Sequence, residues 1–537
     1  IPWPKLLLSR TLRQMLNRLS NRNYFIFIFL LFLTFCFYGS AYAESNVIST
    51  KSGPVIGKVK NQVQIFKGIP YAKPPLGALR WHAPESPNPW AIPLDAFRTG
   101  SVCVQPKNFG KSESVGNEDC LTLNIWAPIH SGAPLPVMVY IHGGFYEVGS
   151  SDEKEVGIHI QDGLKLAERG QVIVVTFNYR LGVFGFLSAD ALDDGSPESQ
   201  SGNFGLMDQI LALQWVHENI AAFGGDSSRT TVFGESAGAS SVLTLMASPK
   251  AEGLFSQAIV ESGYLKAIPK TDALDLSKRF IQQIGCNQGS ALATSTCMRN
   301  LSDSSIIAKF PYSALEGKNE IFVPNLDHFI IPEALEDAYH EGHVRKIPVI
   351  MGTNSDETEF LVNSLYPKEI NSNADVAEVL NTSYGPNTWD HLKGLVLENT
   401  TPRQNLISLT TDLIFTCPTS DVLRSVARNQ GVNSLTWRYV FAHHLPLPGI
   451  AKKGAFHGLD IPYVFGAIPS EFSKNMQTYW LSFAKNGDPN SAGHALWPKF
   501  TSEDEAAIQF GESISEIQTV HNFRADRCAD MSFFIQH

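Results

Sequence analysis

The sequence predicts an α/β protein built on a large, mostly parallel sheet covered by helices on both faces. Three observations carry this reading. Six apolar runs, "PVMVYI" (136–141), "QVIVVTF" (171–177), "TTVF" (230–233), "QAIVES" (257–262), "IPVIMG" (347–352) and "SLTWRYVF" (434–441), are near-continuous rather than alternating, as strands buried on both faces are. Helical patterns lie between them, and alternation of strand and helix makes a sheet covered on both sides. Composition is ordinary for a globular chain, at 43% hydrophobic and 18% charged, with no interior linker, repeat or low-complexity tract. The 537 residues are therefore read as one large domain with insertions behind an N-terminal leader.

The leader comes first. Residues 1–43 hold five basic residues (Lys5, Arg10, Arg13, Arg18, Arg22) and no acid, then the apolar run "YFIFIFLLFLTFCFY" (24–38) and small residues at Ala41 and Ala43. This is the pattern of a secretory signal cut after Ala43. If Met15 is the true start, "MLNRLSNRN" is its basic region and residues 1–14 lie upstream of it. The competing reading is an uncleaved anchor, against which the run is short for a spanning helix. The expected mature chain, 44–537, is placed outside the cell or in the periplasm, with no stable membrane span.

From Asn46 to about Phe66, short β-rich runs separated by Gly-Pro and Lys-Asn breaks predict hairpins at a sheet edge. The clearest helix is 203–226, with Leu206, Ile210, Leu213, Val216 and Ile220 on one face and Gly224-Gly225 closing it. The stretches 268–345 and 362–430 are mostly helical and irregular, and are read as insertions over the same domain. Five of the 42 basic residues and none of the 52 acidic ones lie in the leader, so the remainder carries a net charge of −15. That balance argues against nucleic acid or an anionic membrane as partner. Cys36 leaves with the signal. Six cysteines remain (Cys103, Cys120, Cys286, Cys297, Cys417, Cys528), an even number that suggests disulfides in a secreted chain. Sequence alone leaves the pairing open. No spacing resembles a metal site, and no cofactor is expected.

The chemistry starts at "TTVFGESAGASS" (230–241), where β-formers run into Gly-x-Ser-x-Gly. Small residues on both sides of Ser236 permit a turn so tight that larger neighbours would clash, a nucleophile elbow. The helix that follows aims its N-terminal N–H groups and positive dipole end at this junction. A serine hydroxyl is a poor nucleophile until a base takes its proton, so a histidine and an orienting acid are required later in the chain. "TNSDETEF" (353–360) offers Asp356, Glu357 and Glu359, and "GAFHGLDIPYVFG" (454–466) offers His457, with His443 and His444 as competitors. An oxyanion hole needs preset backbone N–H groups: one from Ala237, the others from the glycine loop in "VYIHGGFYEVGS" (139–150).

With these residues in place the chain resembles the type-B carboxylesterase/lipase family, which includes cholinesterases, liver carboxylesterases and bacterial para-nitrobenzyl esterases. The match runs from about Asn46 to Phe534 and rests on "FKGIPYAKPPLGALRW" (66–81), "EDCLTLNIWAP" (118–128), "IHGG" (141–144), "NYRLGVFGFL" (178–187), "GNFGLMDQILALQWV" (202–216), "FGGDSSRTTVFGESAGA" (223–239) and "FHGLDIPY" (456–463). The resemblance implies an α/β-hydrolase fold with helical insertions around an active-site gorge. It implies Ser236 as nucleophile, Glu357 as acid and His457 as general base. It also implies bridges Cys103–Cys120, Cys286–Cys297 and Cys417–Cys528, and an oxyanion hole from Gly143, Gly144, Phe145 and Ala237.

Two departures stand out. Phe145 occupies a place where the family usually has a third Gly or Ala. It can supply its N–H there if its φ is negative, and its ring is expected near the acyl pocket. The loop between the first two cysteines holds no tryptophan, the residue with which cholinesterases bind the choline cation, so a choline ester is not the expected substrate. The implied activity is hydrolysis of small carboxylic esters through an acyl-enzyme, and the same triad leaves amides and carbamates open. Glu235, next to the nucleophile, is either an aid to deacylation or a buried structural carboxylate. Some members of this fold have lost catalysis and act in binding. With an ordinary histidine pKa near ~6.5, activity is expected to fall below about pH 6.

Overall fold

The computed structural model describes residues 46–107, 112–155, 157–309, 321–365, 369–445 and 454–535. The signal expected over 1–43, and the alternative start at Met15, lie outside the described residues.

The central sheet is built from β1 (Lys58–Lys60), β2 (Val63–Pro70), β3 (Thr122–Pro128), β4 (Leu135–Ile141), β5 (Ile173–Phe177), β6 (Gly225–Glu235), β7 (Gln257–Glu261), β8 (Val349–Asn354), β9 (Thr436–Phe441), β10 (Ala507–Phe510) and β11 (Ile517–Val520). Their order across the sheet is β1-β2-β3-β5-β4-β6-β7-β8-β9-β10-β11. The run from β5 through β4 to β10 is parallel throughout. Antiparallel strands flank it at both ends.

The six apolar runs all form strands, and their neighbours in space explain their composition. In β4, Val137, Val139 and Ile141 join one core cluster while Met138 and Tyr140 join the cluster on the opposite face. Successive side chains of a strand point to opposite faces, so burial on both favours apolar residues at consecutive positions. Three strands escape the apolar-run criterion. β3 carries Asn124 in its middle, and β10 and β11 are four-residue segments with polar residues at the sheet's far edge. The expected N-terminal hairpins form, but only β1–β2 joins the central sheet. Val47–Ser49 and Pro54–Ile56 pair in a separate small sheet with Leu94–Asp95.

Helix α1 (Phe204–Asn219) and helix α2 (Ala237–Ala247) bury Leu206, Leu213, Val242 and Leu243 in one cluster. The predicted glycine stop after α1 is seen at Gly224, whose φ of 84° is left-handed. The insertion 362–430 is helical, ending in α3 (Pro402–Thr411), a π-helical turn (Asp412–Thr416) and α4 (Cys417–Gln430). Helix α5 (Glu471–Asn486) covers the other face with Met476, Trp480 and Phe483, and α6 (Ala525–Ile535) follows the last strand. No described helix is long and apolar enough to cross a membrane.

Strand order changes direction at β4: the chain crosses to β5 on one side, then returns to β6 on the other. Loops after β4 and β6 therefore diverge at the carboxyl ends of adjacent parallel strands, where a crevice opens in α/β sheets. Disulfides join Cys103 to Cys120, Cys286 to Cys297 and Cys417 to Cys528. The third spans 111 residues and ties the start of α4 to α6. Opening so long a loop restores much chain entropy to the unfolded state, so Cys528→Ser is expected to cost about 2–5 kcal/mol in reversible chemical denaturation.

Candidate active site

Ser236 sits between the end of β6 and the start of α2 with φ 57° and ψ −123°, outside the regions an L-residue ordinarily occupies. Packing dictates the small neighbours. A Cβ on Gly238 would lie 2.0 Å from the Ile141 carbonyl oxygen, and one on Gly234 would lie 2.6 Å from the Gly238 carbonyl carbon. The turn thus folds back on itself and against the end of β4. Gly143, in the loop after β4, lies so close that a Cβ there would be 3.0 Å from the Ser236 Cβ. The glycine loop singled out in the sequence therefore runs directly beside the serine.

The loop is held from behind. The neutral His142 imidazole, whose pKa burial lowers to about 4, bonds the Gly143 carbonyl through Nδ1 at 2.9 Å. Its ring stacks on Tyr179, whose hydroxyl donates to the His142 carbonyl. Gly144 has φ 104°, and the N–H groups of Glu147 and Val148 both donate to its carbonyl. This tight turn overturns one expectation: φ at Phe145 is not negative but 59°, and at Tyr146 it is 62°. Two side chains with a Cβ are held left-handed in succession, at a cost of roughly 1–2 kcal/mol each. Phe145 is partly exposed, while Tyr146 is buried and accepts from the Ser241 hydroxyl at 3.2 Å. Ala237 opens α2, so its N–H has no acceptor within the helix.

On the far side, Glu357 has zero exposure, and Oε2 lies 2.7 Å from His457 Nδ1. Its other oxygen accepts from the Ser262 hydroxyl at 2.6 Å and the Asn354 N–H at 2.7 Å. The local alternatives are engaged elsewhere: Asp356 with the Ser355 hydroxyl, Glu359 with the Gly454 N–H. His443 stacks on Phe472 and bonds the Gly511 carbonyl, and His444 lies beside Glu512.

The second imidazole nitrogen, Nε2, lies 3.2 Å from Glu235 Oε1, and the Ser236 hydroxyl makes no hydrogen bond with another described residue. Glu235 adjoins Ser236 in the chain and lies against Gly143 and Gly458, which gathers the serine, the glycine loop and the imidazole around one carboxylate. Burial pushes Glu235 up to about 8, opposed by the nearby imidazole. Burial also acts to lower His457, but the Glu235 and Glu357 carboxylates outweigh it and raise the imidazole to about 9. Each acts on the other: the imidazole lowers the carboxyl group and the carboxylate raises the imidazole. The expectation of an ordinary imidazole pKa therefore fails, because the ring has carboxylates at both nitrogens.

Sequence reasoning singled out neither Ser262 and Asn354, which orient Glu357, nor Phe415, whose ring lies against His457. None of the three belongs to a local pattern; only "TNSDETEF" hinted at Asn354.

A parallel sheet with a strained serine at a strand-to-helix turn, a glycine loop beside it and a carboxylate-bound histidine defines an α/β-hydrolase. Comparison with known proteins narrows the class. The carboxylesterase family model matches residues 44–529. The para-nitrobenzyl esterase of Bacillus subtilis is 35% identical over 494 residues, 88% of this chain and 96% of that protein. Fumonisin B1 esterase of Sphingopyxis macrogoltabida is 34% identical, covering 87% and 86%, and human cocaine esterase 32%, covering 86% and 87%. A solved para-nitrobenzyl esterase superposes with a TM-score of 0.77 at 34% identity, covering 91% of this chain and 100% of that one. The chain belongs to the carboxylesterase family and is a carboxylic-ester hydrolase.

On the reading of His457 as the general base, its ring must be unprotonated to accept a proton, so raising its pKa moves the acid limb of activity to higher pH. The limb of kcat/KM is expected to have its midpoint above ~6.5, the ordinary histidine value. Glu235→Gln removes one of the two carboxylates and is expected to move that midpoint down. A pH–rate profile of both proteins checks the direction.

Proposed function

We propose that Ser236, His457 and Glu357 form a catalytic triad that hydrolyses esters through an acyl-enzyme. The observation carrying this reading is the buried Glu357–His457 bond at 2.7 Å, with the other face of the imidazole turned toward the residue beside Ser236. For the attack Nε2 leaves Glu235 for the Ser236 hydroxyl; catalytic hydrogen bonds commonly close only when substrate binds. Ser236 attacks the ester carbonyl as His457 takes its proton. The N–H groups of Gly144 and Ala237, on a loop shaped by Gly143, stabilise the oxyanion, and the left-handed Phe145 no longer meets the condition set for its N–H. His457 returns the proton to the departing alcohol and then activates water to release the acid. Glu357 fixes the imidazole tautomer and stabilises its charged form. Glu235 pairs with Nε2 in the resting enzyme and gives up the imidazole when substrate enters.

The substrate reading is a broad carboxylesterase rather than a cholinesterase. The relatives are named for para-nitrobenzyl, fumonisin B1 and cocaine esters, and the loop between Cys103 and Cys120 lacks a tryptophan. We also read the chain as secreted or periplasmic, because disulfides persist in oxidising compartments and residues 1–43 have the pattern of a signal.

Ser236→Ala is expected to abolish hydrolysis of p-nitrophenyl butyrate and labelling by a fluorophosphonate probe while leaving the circular dichroism spectrum unchanged. Turnover in the folded variant near that of the wild type would remove Ser236 as nucleophile.

A further inference from the structure

One aromatic ring covers a face of the imidazole on which the proposed reaction depends. The Phe415 and His457 ring centroids are 4.8 Å apart, with the planes inclined by 41°. Phe415 is buried and also packs edge-on against Tyr264 at 6.0 Å. It does not lie on a regular helix. Between α3 and α4 the chain makes the π-turn Asp412–Thr416, closed by the Cys417 N–H donating to the Asp412 carbonyl. Pro418, at the start of α4, has no N–H, and its ring excludes the carbonyl four residues back, so an uninterrupted α-helix cannot pass through this point. The extra residue of a π-turn rotates the side chains that follow by about 100° relative to a continuous helix. Phe415 is the fourth residue of this five-residue turn, so the geometry of the turn itself sets the direction of the ring.

What fixes the turn comes from the far end of the chain. Asp412 has zero exposure, and its carboxylate is held by two guanidiniums. Arg524 donates to one oxygen, and Arg527 Nε donates to the other at 2.6 Å. Arg527 also donates to the Leu395 carbonyl at 2.6 Å and the Ser408 hydroxyl at 3.0 Å, which spans the helices on either side. The next residue, Cys528, is bonded to Cys417, which directly follows the turn. Two ion pairs and a covalent bridge thus clamp both ends of a five-residue segment whose one ring on the active site is Phe415.

We propose that Asp412, held by the strap Arg524–Cys528, is a positioning residue for the general base. Through the π-turn it keeps the Phe415 ring on the imidazole, which limits the rotation of the ring while Nδ1 stays on Glu357 and Nε2 faces Glu235 beside Ser236. The inference rests on the reading of His457 as base. Without the ring the imidazole gains room to rotate about its side-chain bonds, and the attacking geometry is populated for less of the time.

The test uses the full chain, steady-state hydrolysis of p-nitrophenyl butyrate on the pH plateau, and circular dichroism to establish folding. Phe415→Ala is expected to lower kcat by about 10- to 100-fold with KM changed less than about threefold, the loss typical of a catalytic group misplaced by about an ångström. Phe415→Tyr, which keeps the ring, is expected to stay within about threefold of wild type. Asp412→Asn lowers kcat likewise, and the double variant with Phe415→Ala falls no further than the weaker single, because both act through one contact. If Asp412→Asn does not fold, Arg527→Gln, which leaves Arg524 in place, enters the same cycle. A Phe415→Ala kcat within about twofold of wild type, a loss confined to KM, or losses that multiply in the double variant overturns the proposal. His457→Ala separates the two readings. If it retains turnover, the base assignment fails. If it is inactive while Phe415→Ala is not impaired, only the positioning role fails.

Discussion

A carboxylate with no access to water sets the terms for the rest of this molecule. Glu357 is buried completely, and three donors reach it: the Ser262 hydroxyl, the Asn354 N–H and His457 Nδ1. An ionised carboxylate in such a place is tolerated only if its oxygens are bonded. The donors lie at the end of β8, just past β7, and in the segment after β9. They converge because these strands are parallel neighbours, so their carboxyl ends emerge on the same side of the sheet. The sheet is therefore the device that brings together Ser262 and His457, 95 and 100 residues from Glu357 in the chain.

Backbone strain gathers around the same point. Ser236 (φ 57°), Ser262 (φ 56°), Phe145 (φ 59°) and Tyr146 (φ 62°) all occupy left-handed backbone without being glycine. Such residues persist only where the surroundings over-determine them. Here the surroundings are two dense clusters, one on each face of the sheet, that admit no relaxation of the strand ends. Core packing and site geometry are thus one problem: the strands are apolar on both faces so that their ends can be held in unfavourable conformations.

The electrostatic setting follows from the same burial. Glu235, Glu261 and Asp460 are buried within electrostatic reach of one another, and burial pushes each of them up, Asp460 to about 6 and Glu261 well above the ordinary range. Two have neutral donors to lean on: the Trp480 indole N–H for Glu261, and the Tyr439 hydroxyl with the Asn354 amide for Asp460. The Glu235 and Glu357 carboxylates nonetheless outweigh burial at the imidazole, which therefore holds a proton more tightly than a free histidine does.

How much of this was legible in the chain depends on the range of the interactions involved. Strands such as β4 and β7, the helix α1 with its glycine stop, and the Gly-x-Ser-x-Gly turn are local: composition over five to twenty residues reflects burial on two faces, a helical stripe or a steric clash, and each can be read without knowing the neighbours. The short edge strands β10 and β11 were not legible, because pairing partners rather than composition make them strands. Nor was the left-handed conformation of Phe145, which the turn around the Gly144 carbonyl imposes, or the raised imidazole pKa, which needs two carboxylates from distant segments. Ser262, Asp412 and Phe415 acquire their roles only when separate strand ends and the C-terminal helix meet. The sequence by itself determined which elements form and which side chains could do chemistry. Tertiary structure alone decided which of them meet and how each one's charge and orientation are set, because burial and proximity are properties of the packed chain and not of any segment within it.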